Sequence, residues 1–76
     1  MKKEIFLKTQ YITLGQFLKI AGIIDSGGQA KWFLQENKVL VNGEPDARRG
    51  RKLRAEDKVT VPNAGTFFMR SKQQEK

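Results

Sequence analysis

Cysteine and histidine are both absent from this sequence of 76 residues. Without cysteine the chain has no disulfide framework and no thiolate metal site, which suits a reducing cytoplasm. Without histidine it lacks the usual general base near neutral pH and the commonest metal ligand. The composition therefore argues against an enzyme and against a metal site, and we expect no cofactor and no small-molecule substrate.

Long hydrophobic runs are missing as well. The N-terminus begins like a signal peptide, but its apolar run covers only residues 5–7 before Lys8 ends it. We therefore expect no membrane segment and a cytoplasmic location. The length allows one small domain, which we assign to residues 1–71, followed by a polar tail at residues 72–76.

Catalytic signals are equally scarce. The eight acidic residues are scattered, and no two stand in an apolar context that would raise the pKa of a carboxyl group for acid–base work. The sequence also contains no phosphate-binding loop, nucleophile elbow or metal-ligand spacing. A binding function is therefore favoured over a catalytic one.

Positive charge is what the sequence has in excess. Fifteen Lys and Arg residues against eight Asp and Glu give a net charge of +7, the sign that attracts phosphate polyanions. Residues 48–54 hold five of these cations and no acid: Arg48, Arg49, Arg51, Lys52 and Arg54. Guanidinium groups bind phosphate oxygens in pairs, so we interpret this stretch as a phosphate-binding site. A solvated surface loop is the alternative.

A first helix is predicted to begin after residue 13. Thr13 and Gln16 have the spacing of a capping box, in which a hydroxyl and an amide satisfy free backbone N–H groups. Gly22 supplies a left-handed stop. Between them an apolar stripe repeats at helical spacing: Leu14, Phe17, Leu18 and Ala21.

A second helix is predicted over residues 30–38. Ser26 and Gln29 repeat the capping spacing, and we favour capping over phosphate binding at the intervening glycines. Helical spacing places Lys31, Gln35 and Lys38 on one polar face. We expect this face to extend the phosphate-binding site.

The remaining segments have the composition of strands. Asn42-Gly43 predicts a tight hairpin because both residues accept a positive φ, and Pro45 makes the returning strand short or confines it to an edge. The other strand segments are residues 3–9, 39–41, 58–61 and 66–70. We therefore predict an α+β fold in which two short helices pack on a small, mainly antiparallel sheet.

Three aromatic residues have two possible roles each. Trp32 lies about 100° from the apolar centre of its helix, and we favour burial in the core over stacking on a base. Phe67 and Phe68 must point to opposite faces of their strand, so core packing and a partner surface are equally open for them. The last strand, where exposed, offers an edge for pairing with a second copy.

From Ile12 to Val61 the chain resembles the RNA-binding domain named after the small-subunit ribosomal protein S-four. The matching positions are Leu14, Leu18, Ser26, Ala30 and residues 39–43 and 57–61. Residues 26–34 and 48–53 are most similar to the short stand-alone branch, the YaaA and YbcJ type. The resemblance implies two helices on a small sheet that present a basic groove to structured RNA, without catalysis, and a role on the ribosome or its precursors.

Three residues depart from the pattern of that family. Thr13 stands where an arginine usually opens the first helix, and Gly27 where an arginine usually follows the serine. Glu56 replaces a glycine that is common before the aspartate, which predicts a differently shaped turn. We expect the missing phosphate contacts to be made by Lys31, Lys38 and residues 48–54.

These features together predict a non-catalytic module that binds structured RNA, either ribosomal RNA or a ribosome assembly intermediate. Ser26 and Gln35 are expected to contact sugars beside the phosphate-binding cations. Folded RNA is favoured over a single strand because few aromatic residues are left for stacking. Two alternatives stay open: an adaptor that binds an acidic protein or an RNA-modifying enzyme through residues 67–69, and, less favoured, a DNA-binding helix-turn-helix.

Overall fold

Residues 2–71 are described by the computed structural model. In this range lie two helices, α1 (Leu14–Ile20) and α2 (Gln29–Glu36). The strands are β1 (Lys2–Leu7), β2 (Tyr11–Thr13), β3 (Leu40–Val41), β4 (Glu44–Pro45), β5 (Lys52–Arg54), β6 (Lys58–Val61) and β7 (Gly65–Ser71). The predicted α+β class is confirmed. The predicted polar tail at residues 72–76 lies outside the described residues.

Helix α1 begins as the capping box predicts. Thr13 has an extended backbone, and its Oγ1 accepts the N–H of Gln16 at 3.2 Å. In return, Gln16 Oε1 accepts the N–H of Thr13 at 2.8 Å. Gly22 takes a φ of 77° just past the helix, which confirms the predicted stop. Thr13 therefore has an N-cap role in this chain.

Helix α2 begins and ends differently from its prediction. Its N-cap is Gly28, and no side chain caps it, so the expected capping by Ser26 is wrong. The amide half of the predicted capping box does form, since Gln29 Oε1 accepts the N–H of Ser26 at 3.2 Å and also that of Asp25 at 2.6 Å. The helix ends at Glu36, where the Asn37 side chain binds the carbonyl of Phe33 at 3.0 Å. Lys38 therefore lies beyond the helix and not on its polar face.

Five strands form a mixed sheet in the order β1-β7-β6-β3-β4. Strand β1 runs parallel to β7, with Lys3 opposite Phe67 and Ile5 opposite Met69. The other pairs in this sheet are antiparallel, as predicted. Because β7 lies between β1 and β6, it is an inner strand, and the expectation that it offers a free edge is wrong.

The hairpin between β3 and β4 forms at Asn42-Gly43, with φ of 53° and 87°. Strand β4 has two residues and lies at the edge of the sheet, as Pro45 requires. The Asn42 side chain also ties this hairpin to β6. Its Oδ1 accepts the N–H of Lys58 at 2.9 Å, and its Nδ2 donates to Asp57 at 3.1 Å.

A separate two-stranded ribbon pairs β2 with β5, with Tyr11 opposite Arg54, Ile12 opposite Leu53 and Thr13 opposite Lys52. The sequence did not predict either strand. Alternation along a strand sends Leu53 and Ile12 towards the core, where Leu53 is fully buried. The outer side of the ribbon therefore carries Tyr11, Lys52 and Arg54.

The core lies between the helices and the large sheet. The ring of Phe17 packs edge-on against Phe67, with centroids 5.0 Å apart. Phe67 and Met69 are buried and Phe68 is half-buried, so residues 67–69 do not form the exposed apolar surface that the adaptor hypothesis requires.

Trp32 is not part of the core, and the prediction of its burial is wrong. The residues of α2 that face the core are Ala30 and Leu34. Trp32 follows Ala30 by two residues, a rotation of about 200°, so it points away from the core. Its side chain is accordingly 62% exposed.

Candidate nucleic-acid interface

The arginine-rich loop, residues 48–51, is anchored on the first turn of α1. The N–H groups of Leu14 and Gly15, which have no partner within the helix, donate to the carbonyls of Arg51 and Arg49 at 2.7 and 2.9 Å. The loop also closes on itself, since the Arg51 N–H donates to the Arg48 carbonyl at 3.1 Å. Its backbone is therefore fixed, while the side chains of Arg48 and Arg49 are exposed and that of Arg51 is half-buried.

Gly15 allows this close approach. A Cβ atom at residue 15 would lie 3.3 Å from the carbonyl oxygen of Arg49 and 3.4 Å from its Cβ. The same Cβ would lie 3.5 Å from Ala30 of α2. Gly15 is thus the point where α1, α2 and the arginine-rich loop meet, and Lys31 follows directly after Ala30.

Asp46 holds two of the arginines in place. Arg48 contacts both carboxylate oxygens, with Nη2–Oδ2 at 2.8 Å and Nε–Oδ1 at 3.1 Å, and Arg51 Nη1 lies 2.9 Å from Oδ2. The Asp46 side chain is only 8% exposed, whereas that of Arg48 is 72% exposed. Hydrogen bonding from Arg48 holds the pKa of the Asp46 carboxyl well below its usual range, against the opposing effect of burial. The same contact raises the pKa of Arg48.

Sequence reasoning missed Asp46, although it stands two residues before the arginine-rich stretch. Its carboxylate neutralises part of the charge on Arg48 and Arg51. Among residues 2–71, no ion pair involves Arg49, Lys52 or Arg54. Among the five cations of residues 48–54, these three are the ones that make no ion pair within the described residues.

The outer side of the β2–β5 ribbon adds an aromatic ring to the cations. Tyr11 is 40% exposed, and its ring centroid lies 5.0 Å from Lys52 Nζ and 5.9 Å from Arg54 Cζ. Sequence reasoning also missed this residue, because its position depends on a strand pairing that no local pattern indicates.

Arg48, Arg51, Lys52 and Arg54 line one open depression. Arg49 belongs to the same loop, so we call these five cations the basic face. Gln35 and Lys38 line an adjoining shallow groove with Asp46 and Ala47, directly before Arg48 in the chain. The structure therefore brings Gln35 and Lys38 beside the basic face.

Two other predicted site residues, Lys31 and Ser26, have weaker links to the basic face. Lys31 is exposed on α2, with its Nζ 5.9 Å from the Trp32 ring centroid. Ser26 is exposed in the turn before α2, and within residues 2–71 no hydrogen bond joins it to the basic face. The arrangement is open and cationic, which suits the backbone of a polyanion better than an enclosed small molecule.

Within residues 2–71, no cluster of three or more potential ligand residues is placed to hold a metal ion. No helix there has the length and apolar character needed to cross a membrane.

Comparison with known proteins gives two matches. The family model described as the S4 domain matches residues 5–68. A probable ribosome maturation protein RlbA from Bacillus subtilis (strain 168) is 58% identical over 67 residues, which are 88% of this chain and 94% of that protein. The family match, over residues 5–68, includes both helices, the ribbon and the whole basic face.

Proposed function

The chain belongs to the S4 domain family, and we propose that its basic face binds the phosphate backbone of a folded RNA. The family is one of non-catalytic RNA-binding domains. The observation that supports this site most directly is the open depression lined by Arg48, Arg51, Lys52 and Arg54. Guanidinium and ammonium groups on one rigid surface match a dense row of phosphates.

The rigidity of this surface strengthens the proposal. The loop carbonyls are bound to α1, and Asp46 orients Arg48 and Arg51. Since these side chains are already ordered, binding costs less conformational entropy than ordering free arginines would. Lys38 and Gln35 extend the surface past Asp46, and Lys31 extends it along α2.

The proposed target is ribosomal RNA, in an assembling ribosomal particle in the cytoplasm. This part of the proposal is supported by the name of the relative from Bacillus subtilis, a probable ribosome maturation protein. Membership of the S4 domain family favours RNA over DNA, and the burial of Phe67 and Met69 weakens the adaptor hypothesis.

The test is a salt series with a folded ribosomal RNA fragment. A variant with Arg49, Lys52 and Arg54 replaced by Gln removes the three basic-face cations that make no ion pair within residues 2–71 and leaves the Asp46 contacts in place. A control variant with Lys8, Lys19 and Lys58 replaced by Gln has the same net charge but changes exposed lysines elsewhere. Thermal unfolding checks that all three proteins are folded.

We expect the site variant to lose about two to three units of the slope of log K against log salt, because about 0.7–0.9 of a counterion is released per phosphate contact. The control variant should retain most of the slope. Equal losses in both variants would show that only net charge matters. Unchanged binding in the site variant would overturn the proposal.

A further inference from the structure

Tyr11 is an exposed aromatic residue placed among the cations of the basic face. The pairing of β2 with β5 sets it directly opposite Arg54, and Lys52 lies two residues from Arg54 on the same side of β5. Both cations lie within 6 Å of its ring, at 5.0 and 5.9 Å from the centroid.

The core does not account for this ring. Tyr11 is outside the group of buried and partly buried residues that form the core, while its neighbour Ile12 packs against that group. Within residues 2–71, no hydrogen bond is made by its hydroxyl group. Although Lys52 and Arg54 lie over its ring, Tyr11 is still 40% exposed and therefore has surface available for a ligand.

We propose that Tyr11 stacks on an unpaired nucleobase of the bound RNA, while Lys52 and Arg54 bind the phosphates beside that nucleotide. This inference rests on the proposed function and refines its substrate class. The target is then a helix with an unpaired nucleotide at its edge, such as a bulge or a loop junction, and not an uninterrupted duplex.

The chemistry of RNA supports this choice. Bases inside an A-form helix are stacked on both sides, and a ring on the protein surface cannot reach their faces. An unpaired base exposes a face, and stacking on an aromatic side chain is tolerant of base identity. Lys52 and Arg54, which lie near the ring, are placed to add phosphate contacts next to the stacked base.

The experiment compares two hairpin RNAs that share one stem, of which only one carries a single-nucleotide bulge. The affinities of wild type, Tyr11→Phe and Tyr11→Leu for both RNAs are measured at the same salt concentration. Trp32→Leu is the matched control, since Trp32 is the more exposed aromatic residue but lies in a separate groove with Asp25 and Glu36. A 5-bromouridine placed at the bulge of the bulged RNA allows this RNA to be cross-linked photochemically to the wild-type protein.

Tyr11→Leu should lose about tenfold in affinity for the bulged RNA and little for the plain stem, with an unchanged salt slope, since stacking involves no counterion release. Tyr11→Phe and Trp32→Leu should bind both RNAs like wild type. The cross-linked peptide should contain Tyr11.

The inference is overturned if wild type does not prefer the bulged RNA, if Tyr11→Leu loses equally on both RNAs, or if the cross-link falls on another residue while salt-dependent binding persists. Those outcomes leave the proposed function standing. If wild type shows no salt-dependent binding to any folded RNA, including ribosomal fragments, both the inference and the proposed function are overturned. The cross-link uses wild type alone, so it decides the inference even if a variant fails to fold.

Discussion

The carboxylate of Asp46 and the guanidinium of Arg48 form a two-point contact in which the acid is nearly buried and the arginine is exposed. The backbone N–H of Arg48 adds a third bond to the same carboxylate at 3.0 Å. Asp46 therefore acts as the internal anchor of the basic face. It orients cations that would otherwise be free to move.

Replacing Asp46 by Asn should lower the free energy of unfolding at pH 7 by about 1–2 kcal/mol, because charge-assisted hydrogen bonds from Arg48 and Arg51 are lost. The pKa of Asp46 is lowered on folding, so its contribution is complete above the ordinary value of 3.8 and is lost as the pH falls towards the lower folded value. The difference in free energy of unfolding between wild type and Asp46→Asn should therefore narrow as the pH falls from 5 to 2. Urea unfolding across this range measures it.

The matched control is Asp25→Asn, which changes an exposed carboxylate that has no ion pair within residues 2–71. Its free energy of unfolding at pH 7 should stay within about 0.5 kcal/mol of wild type. Suppose that Asp46→Asn lowers the free energy of unfolding no more than this control does, and that its difference from wild type does not narrow in acid. The contacts with Arg48 and Arg51 then do not stabilise the protein.

Glu56 has a φ of 76°, in the left-handed region that glycine accepts and glutamate resists. We therefore expect the free energy of unfolding of Glu56→Gly to exceed that of Glu56→Ala by about 1 kcal/mol. This corresponds to a thermal unfolding midpoint that is higher by roughly 4–8 °C. Both variants lose the exposed ion pair with Arg70, so its small contribution cancels in the comparison. Equal midpoints in thermal unfolding would show that the turn carries no backbone strain.

Gly27 offers a gain-of-function test, since the resemblance to the S4 domain implies an arginine at this position. A Cβ at this residue meets nothing within 4 Å, and its φ is not in the positive region. Gly27→Arg should raise the affinity for RNA roughly fivefold near physiological salt and steepen the salt slope by about 0.7–0.9. Gly27→Gln adds a side chain without charge and should leave the slope unchanged. A slope unaltered by the arginine would place the start of α2 outside the interface.

Local signals in the sequence were sufficient for some elements. The capping box at Thr13, the stop at Gly22 and the hairpin at Asn42-Gly43 each depend on residues within a few positions of one another, and all three are confirmed. The Ser26 capping signal failed although its spacing is the same, because the N–H of Gln29 donates to the Ser26 carbonyl at 3.1 Å and not to the Ser26 hydroxyl, and Gly28 takes the N-cap position.

Distant pairings are what the sequence did not indicate. The parallel contact of β1 with β7 and the β2–β5 ribbon each join segments about 40 or more residues apart. The position of Tyr11 beside Arg54 follows from the second of these pairings. The exposure of Trp32 likewise depends on which side of α2 meets α1, which periodicity alone left ambiguous. Composition therefore identified the cations of the candidate site, and the fold added the anchor Asp46 and the ring of Tyr11.

The central claim is that the basic face is the RNA-binding surface. The most direct measurement is a titration of the isotope-labelled protein with a folded ribosomal RNA fragment, followed residue by residue through the backbone amide signals in NMR. We predict that the largest shifts fall on residues 48–54 and 11–15, with smaller ones on residues 35–38. Shifts confined to β1 and β7, or to the groove beside Trp32, would contradict the claim.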